Sequence, residues 1–448
     1  MSCSPTTTER PMRRPGWPGH ADDAPRAETP TRAAGLARLA SFVPHAAAYS
    51  RERNRVVPPH DGVSRLSPYL RHRLILEREA IAAVLDAHPR DAVDKFVSEV
   101  LWRTYWKGWL EQRPQVWDTY LDQLRRDRDG LVGTASTHYA EAIAGRSGIA
   151  CFDAWASELI ETGYLHNHAR MWFASIWIFT LRLPWTLGAA FFLRHLLDGD
   201  PASNTLSWRW VAGLHTRGKH YLARAENIAR HTDGRFYPQG ELDEQALPLT
   251  EPPLDLLPRA LPASVEPDMD TPSGLLLTPE DLAPEISRLS RLAFRGVAGG
   301  WDEGVEDGLD LAPPVVDFSR IAIADALSRA EAHFAVPSHA LDEGDWLAAT
   351  EAWACGLAVR QVVTLEAPVG RWRERLDQLD ARLAKHGIAL VRARRTWDNR
   401  LWPGATRGFF PFREHAYRQA HLDCPPGAAD PELPNPKVVQ SAADHPSG

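Results

Sequence analysis

Three short segments combine charged, amide and aromatic side chains at spacings that could hold a planar, charged ligand. In EVLWR at 99–103, Glu99 and Arg103 would lie one helical turn apart with a tryptophan beside them. HNHARM at 166–171 lies inside an apolar helical pattern, where polar groups need partners. DGD at 198–200 is followed by Asn204 and by WRW at 208–210. Two acids around a glycine could bind a metal ion or accept hydrogen bonds from a ring or a ribose.

Each segment also has a plain structural interpretation. The Glu99–Arg103 pair is typical of a solvated helix face, and a DGD tripeptide is more often a turn than a binding site. The tryptophans are equally ambiguous, since ten of the 17 fall between Trp102 and Trp210. Indole rings at this density either stack on a planar ligand or fill a core. Taken one by one, the segments leave both alternatives open.

The composition is that of an ordinary globular protein. Of the 448 residues 44% are hydrophobic and 24% charged, which excludes a disordered, collagen-like or disulfide-dependent chain. The net charge is −7, but residues 241–448 alone carry −13, so only the mildly basic middle suits nucleic acid. Cys3, Cys151, Cys355 and Cys424 form no CxxC pair, which favours a reducing cytoplasm and neither a zinc site nor a disulfide framework.

Neither the two ends nor the most apolar stretch predicts a secretion signal or a membrane span. Residues 1–34 lack an apolar segment, residues 424–448 are rich in proline, and both are expected to be disordered tails. The apolar stretch at 173–193 has the length of a span, but Arg182 and Pro184 interrupt it. We therefore expect two buried helices with a break between them and no membrane contact.

The apolar pattern predicts a helical domain over residues 35–242. Apolar residues recur there at three- and four-residue spacing, and no useful strand-like alternation appears. One helix start is clear, because Ser67 suits an N-cap and Pro68 suits the first helical position.

The remaining sequence predicts a connection followed by a mixed region. Residues 243–295 are rich in Pro, Leu and acids and are expected to form a linker or an extended wrap. Within residues 296–423, strand-like segments at 360–365 and 387–393 flank a helical segment at 372–386. This order predicts a small α/β region.

Taken in chain order, six motifs resemble the flavin-binding helical domain of the DNA photolyase/cryptochrome family. They are Tyr49, SRLS at 64–67, EVLWR at 99–103, GYLHNHARM at 163–171, LLDGDPASN at 196–204 and WRW at 208–210. The resemblance covers about residues 35–240. It implies a mainly α fold: an all-helical, photolyase-like domain that binds FAD in a bent conformation, with the small C-terminal α/β region as a Rossmann-like remnant.

The resemblance also implies which residues hold FAD. Hydroxyls and backbone donors of Tyr49 and residues 64–67 would grip the phosphates, although Val63 replaces a usual threonine. Arg170 would pair with Asp198. Asn204 would lie beside the flavin N5 atom. The residues implied to bind the cofactor are Tyr49, Ser64, Arg65, Leu66, Ser67, Phe96, Arg103, Asn167, Arg170, Asp198, Asp200 and Asn204.

A second implied set handles substrate and electrons. Glu99 would face the damaged bases, and Trp102 would be the aromatic wall against which a flipped dimer packs. The residues implied to contact substrate are Arg53, Glu99, Trp102, Met171 and Trp210. The residues implied to be catalytic are Glu99, Asn204, Trp208 and Trp185, the two tryptophans matching the inner members of the family's electron-transfer chain. The surface tryptophan of that chain has no clear match, since Ala142 and Ile143 lie in the comparable region.

The activity that the resemblance implies is light-driven repair of cyclobutane pyrimidine dimers, a lyase reaction with dimer-containing DNA as the partner. Family members that repair (6-4) photoproducts have His at the second and sixth positions of the motif that reads HNHARM here. Asn167 and Met171 occupy those positions, so cyclobutane dimers are the expected lesion. The alternatives are a cryptochrome-like blue-light sensor with a signalling partner, and a flavin-binding structural or interaction module.

The antenna region is where the sequence departs from the family. Photolyases usually begin with a Rossmann-like antenna domain, which is expected to be missing from the N-terminal side here. Residues 310–415 are loosely similar to the later part of such a domain, which favours its relocation in reduced form to the C-terminal side. Whether an antenna chromophore binds stays open.

Overall fold

A computed structural model describes residues 29–420 except Arg217, 304–307 and 342–343. The expected tails at 1–34 and 424–448 therefore lie almost wholly outside the described residues. The last three residues of the first tail differ from the prediction, because a helix begins at Arg32. Thr31 caps that helix, its hydroxyl accepting a hydrogen bond from the Ala34 N–H at 3.2 Å.

Helices build the first part of the chain, as the spacing of apolar residues predicts. They are α1 (Arg32–Phe42), α2 (Tyr49–Glu52), α3 (Ser67–Arg71), α4 (Glu77–Ala87), α5 (Arg90–Glu111), α6 (Gln115–Asp129), α7 (Gly133–Ile143), α8 (Ala150–Thr162), α9 (Asn167–Ser175), α10 (Trp185–His195), α11 (Pro201–Ala212) and α12 (Ala225–His231). A 3₁₀ helix at Val43–Ala48 joins α1 to α2, and a π-helical turn at Ile176–Thr180 extends α9.

Two local predictions can be compared with these helices. Ser67 is the first residue of α3 rather than its N-cap, which is Leu66. The Ser67 hydroxyl bonds to the Asp198 carboxylate instead of capping the helix. The apolar stretch at 173–193 is broken as expected, with Arg182 in the left-handed region at φ 54°. Among the described helices, none is long and apolar enough to cross a membrane.

The second part of the chain is a five-stranded, wholly parallel sheet with helices around it. Its strands are β1 (Ser273–Leu277), β2 (Phe294–Gly299), β3 (Ser338–Ala340), β4 (Gln361–Leu365) and β5 (Ala389–Ala393), in the spatial order β3-β2-β1-β4-β5. The helices are α13 (Pro313–Phe334), α14 (Trp346–Gly356), α15 (Arg371–Leu383), α16 (Thr396–Leu401) and α17 (Phe409–Gln419), with 3₁₀ turns at Pro284–Ile286, Arg288–Arg291, Ala384–His386 and Trp402–Gly404. The fold is thus mainly α with a C-terminal α/β region.

The strands predicted at 360–365 and 387–393 are present as β4 and β5. The helix predicted between them at 372–386 is present as α15, which ends at Leu383 and continues as the 3₁₀ turn Ala384–His386. The linker expected over 243–295 is too long, because β1 lies within it and β2 begins within it. All five residues of β1 are buried, so the strand has no apolar–polar alternation that would mark it in the sequence.

Helices α16 and α17 return from the sheet to α5 and join the two parts into one body. A single apolar core cluster runs from the helical part into the inner face of the sheet. Buried ion pairs cross the same interface: Arg71 binds Glu280 at 2.6 Å and Arg73 binds Asp398 at 2.8 Å. The sheet therefore supports the helices that surround the site described next.

Candidate functional site

A cavity of about 420 Å³ opens among α2, α3, α5, α9, α10 and α11. Every residue that the sequence assigns to the site lines it except two, Arg53 and Trp185. The predicted residues that line it are Tyr49, Ser64, Arg65, Leu66, Ser67, Phe96, Glu99, Trp102, Arg103, Asn167, Arg170, Met171, Asp198, Asp200, Asn204, Trp208 and Trp210. Segments far apart in the chain thus meet at one place.

Four charged residues of the lining, Arg103, Arg170, Asp198 and Asp200, form a cluster that we call the charge cluster. Its two carboxylates are buried and its two guanidinium groups are partly exposed. Arg170 binds Asp198 at 3.0 Å, as expected, and Arg103 binds Asp200 at 2.9 Å. Asp200 also caps α11, accepting a hydrogen bond from the backbone N–H of Ser203 at 2.9 Å. The short DGD segment is therefore both a turn and a cavity wall.

The pKa values of both acids lie below their ordinary values. Burial alone would raise them, but for Asp198 the guanidinium groups of Arg170 and Arg103 more than offset it and lower the pKa. For Asp200, Lys107, Arg103 and Arg71 lower the pKa to about 2. Both carboxylates are ionised near neutral pH and act only as hydrogen-bond acceptors.

Lys107 and Arg71 support the charge cluster, and the sequence analysis did not find them. Lys107 is buried on α5, its Nζ has no hydrogen-bond partner among the described residues, and burial lowers its pKa. Arg71 holds the glycine of the DGD turn, its Nε donating to the Gly199 carbonyl at 2.7 Å. Lys107 lies one turn after Arg103 on α5, a spacing that could have indicated it.

Residues 63–67 contribute hydroxyls and a cation to another wall. Arg65 takes the left-handed conformation at φ 53°, which turns the chain before α3. The guanidinium of Arg65 lies 4.8 Å from the ring centre of Tyr164, another lining residue that the sequence analysis missed. Burial raises the pKa values of Tyr49 and Tyr164, so both phenols stay protonated and can donate hydrogen bonds.

Glu99, Trp102, Met171 and Trp210 form the more accessible part of the lining; we call them the exposed set. Glu99 binds Arg53, so Arg53 lies beside the cavity although it does not line it. Lys95 also lies 3.2 Å from Glu99. Trp210 is 36% exposed, an unusual position for an indole ring.

One face of Trp102 is covered by the C-terminal part of the chain. Phe409, the first residue of α17, stacks on Trp102 with ring centres 3.8 Å apart and planes 7° from parallel. Phe410, the next residue, is 70% exposed. No local sequence pattern indicates this contact, because the two aromatic residues are about 300 positions apart in the chain.

Asn204 and Trp208 lie on α11 and reach the cavity from the same helix. The Asn204 amide donates to the carbonyl of Ala189 at 2.9 Å, which leaves its side-chain oxygen as an acceptor. The Nε1 atom of Trp208 is buried without a hydrogen-bond partner among the described residues. Trp185 begins α10 and packs against Tyr120 instead of lining the cavity.

The residues present fit a flavin dinucleotide. The volume falls within the roughly 300–1,000 Å³ typical of cofactor sites. Hydroxyls and guanidinium groups suit phosphates, ionised buried carboxylates suit ring and ribose donors, and indole and phenyl rings suit an isoalloxazine edge. Among the described residues, no group of three or more His, Cys, Asp or Glu side chains could hold a metal ion.

Comparison with known proteins gives the same cofactor. The family model for the FAD binding domain of DNA photolyase matches residues 96–245. A deoxyribodipyrimidine photo-lyase of Streptomyces griseus is 34% identical over 184 residues, covering 38% of each chain. That of Thermus thermophilus is 32% identical over 217 residues, covering 47% of each chain. The chain therefore spans less than half of the length of these curated relatives.

Several solved structures match about half of the chain. A class III photolyase from Agrobacterium tumefaciens aligns with 48% of this chain and 46% of its own, with 25% sequence identity and a TM-score of 0.41. The residues that the family model matches include most of α5 and all of α9, α10 and α11, and they contain every member of the charge cluster and of the exposed set. FAD is thus the cofactor of the domain that forms the cavity.

Proposed function

Because this chain carries the FAD-binding domain of the DNA photolyase/cryptochrome family, we propose that it is a light-driven lyase that repairs cyclobutane pyrimidine dimers in DNA. One observation carries the proposal: a single cavity joins the buried charge cluster to the exposed set, which holds an acid and two indoles. A cofactor and a second planar ligand could therefore occupy adjoining parts of one cavity.

The charge cluster binds the cofactor in this proposal. FAD, when bound, supplies the absorption of blue light and the electron that splits the dimer. Asp198 and Asp200 accept hydrogen bonds from its donor groups, while Arg103 and Arg170 hold the two carboxylates in place. Since all four side chains are already paired, little reorganisation is needed on binding.

The exposed set receives the flipped dimer. Trp102 and Trp210 offer flat apolar surfaces, Met171 offers a flexible one, and together they keep water from the reacting bases. Glu99 accepts a hydrogen bond from a base N–H, and its ion pair with Arg53 orients the carboxylate. Arg53 and Lys95 also add positive charge beside the cavity, where DNA phosphates would lie.

A cyclobutane dimer suits this cavity better than a (6-4) photoproduct. Repair of the latter needs a proton donor within hydrogen-bond reach. Asn167 and Met171 have no acidic proton near neutral pH. His166 is fully buried and does not line the cavity, and burial lowers its pKa to about 3, so it is neutral at pH 7. Electron donation alone starts the splitting of a cyclobutane dimer.

The test illuminates the FAD-loaded, chemically reduced protein with two oligonucleotides, one carrying each lesion. We expect restoration of the cyclobutane dimer and little or none of the (6-4) photoproduct. Equal or faster restoration of the (6-4) substrate would overturn the lesion assignment. If neither is restored although FAD is bound and reduced, the sensor of the cryptochrome type becomes the better proposal.

A further inference from the structure

In the sequence, the surface tryptophan of the family's electron-transfer chain has no clear match. The ring contacts of Trp208 indicate which residues could take its place. Trp208 lines the cavity and packs against Trp177, with ring centres 6.3 Å apart and planes at 86°. Trp177 lies in the π-helical turn Ile176–Thr180, and such turns are frequent at functional sites. Gly188 permits the contact, since a Cβ there would lie 2.3 Å from Trp208 and 2.9 Å from Trp177 Nε1.

Trp177 is fixed in place and leads on to a tyrosine near the surface. Its Nε1 donates to the carbonyl of Pro184 at 2.9 Å, which orients the ring. Its ring centre lies 6.0 Å from that of Tyr139, with planes at 88°. Tyr139 is on α7, is partly exposed, and lies one turn before Ala142, where the family's surface tryptophan has no counterpart. The three rings therefore form an unbroken path from the cavity to solvent.

The path through Trp185 is less suited to carry electrons to solvent. Among the described ring contacts, Trp208 has none with Trp185. Trp185 packs on Tyr120 at 5.6 Å, and Tyr120 on Trp117 at 5.3 Å, but Tyr120 and Trp117 are each only 1% exposed. The guanidinium of Arg209 also lies 5.8 Å from the Trp185 ring centre and would oppose the positive charge that electron loss leaves there.

We propose that Trp208, Trp177 and Tyr139, in this order, carry electrons from the surface to the flavin; the proposal rests on FAD being bound as proposed above. Trp208 gives one electron to the photoexcited, oxidised flavin, and Trp177 then refills Trp208. Tyr139 refills Trp177 and releases its phenolic proton to water, which its partial exposure allows. A thiol in solution returns one electron and one proton to Tyr139. One electron thus leaves the thiol for each electron that the flavin gains.

The test compares Trp177→Phe and Tyr139→Phe with Tyr120→Phe, a matched change of a buried tyrosine on the other path. Time-resolved absorption and electron paramagnetic resonance after a light pulse identify the radical, and FAD content and thermal unfolding check that each variant is folded. Wild type and Tyr120→Phe should form a tyrosyl radical. Tyr139→Phe should form only a tryptophanyl radical, and its yield of lasting photoreduction should fall about tenfold or more.

Trp177→Phe should lose the tyrosyl radical as well, because phenylalanine is far harder to oxidise than tryptophan. A wild-type tyrosyl radical in either Tyr139→Phe or Trp177→Phe, or its loss in Tyr120→Phe, would overturn the proposed path. Repair is measured separately after chemical reduction by dithionite, which bypasses the path. Trp177→Phe should then repair dimers at the wild-type rate. If reduced wild type repairs nothing, the proposed repair fails while the radical assignment still stands or falls on its own measurement.

Discussion

The charge cluster and the exposed set line the same cavity but differ in how deeply their acidic side chains are buried and in their aromatic content. The Asp198 and Asp200 side chains are only 4% and 2% exposed, and each is paired with an arginine. In the exposed set, Glu99 is 23% exposed and Trp210 is 36% exposed. Buried carboxylates that are paired with arginines suit a group that stays bound, whereas accessible aromatic surface suits one that enters and leaves.

The largest effect should follow from breaking the charge cluster. Asp198→Ala removes a buried carboxylate and leaves Arg170, whose side chain is 21% exposed, without that partner. Loss of one partner of a fully buried pair typically costs about 3–5 kcal/mol, which is the upper bound here. We expect the purified variant to contain little or no FAD, measured by absorbance after heat release. Asp233→Ala, which removes an exposed partner of Arg55, is the control and should keep its FAD. Normal FAD content in Asp198→Ala would contradict the assigned role of the cluster.

The second-largest effect should be seen in the pH dependence of stability, which tests the ion pair of Asp200 in the charge cluster. The pKa of Asp200 is about 2 in the folded protein and about 3.9 in an unfolded chain, so folding favours its ionised form. Its contribution to stability is fully present above about pH 4 and is lost as the pH falls towards about 2. Thermal unfolding of wild type and Asp200→Asn should therefore converge over this window, with a constant difference above it. A difference that stays constant down to pH 2 would contradict the ion-pair assignment.

A smaller effect is expected from the aromatic part of the exposed set. Stacking of a base on an aromatic ring contributes about 1–3 kcal/mol, so Trp102→Ala should weaken binding of dimer-containing DNA by about 5- to 150-fold. FAD content should not change. Trp102→Phe keeps a stacking surface, also against Phe409, and should restore most of the affinity. Unchanged DNA binding in Trp102→Ala would remove the indole from the substrate site.

The smallest effect should come from Arg53. Partly exposed ion pairs contribute about 0.2–1 kcal/mol, so Arg53→Ala should weaken DNA binding only severalfold. The dependence of affinity on salt should become shallower because one positive charge near the phosphates is lost. Arg53→Lys retains that charge and is the matched control. A salt slope identical in Arg53→Ala and wild type would show that Arg53 makes no phosphate contact.

The sequence predicted the cavity lining well because its residues lie in short local motifs on helices. Glu99, Trp102 and Arg103 share one face of α5, and Asp198, Asp200 and Asn204 lie within one turn and the start of α11. Local spacing decides which side chains such motifs present together. Family resemblance supplied the rest, since spacing alone left a solvated ion pair and a simple turn as alternatives.

What the sequence did not predict depends on contacts between distant segments. The stacking of Phe409 on Trp102 requires α17 to return from the sheet, which no local pattern indicates. The first strand was missed because a buried parallel strand shows no alternation. The contact between Tyr139 and Trp177, which forms the surface end of the aromatic path, was not predicted either. The two residues meet only in the folded chain.

The most direct test of the account is the number of cyclobutane dimers repaired per bound FAD under blue light. FAD content and repaired dimers are measured in the same sample of wild-type protein, reduced with dithionite and kept either dark or illuminated. The account predicts more than one repaired dimer per bound FAD in the light and none in the dark, because the electron returns after each splitting. Bound, reduced FAD with no light-dependent repair would contradict it.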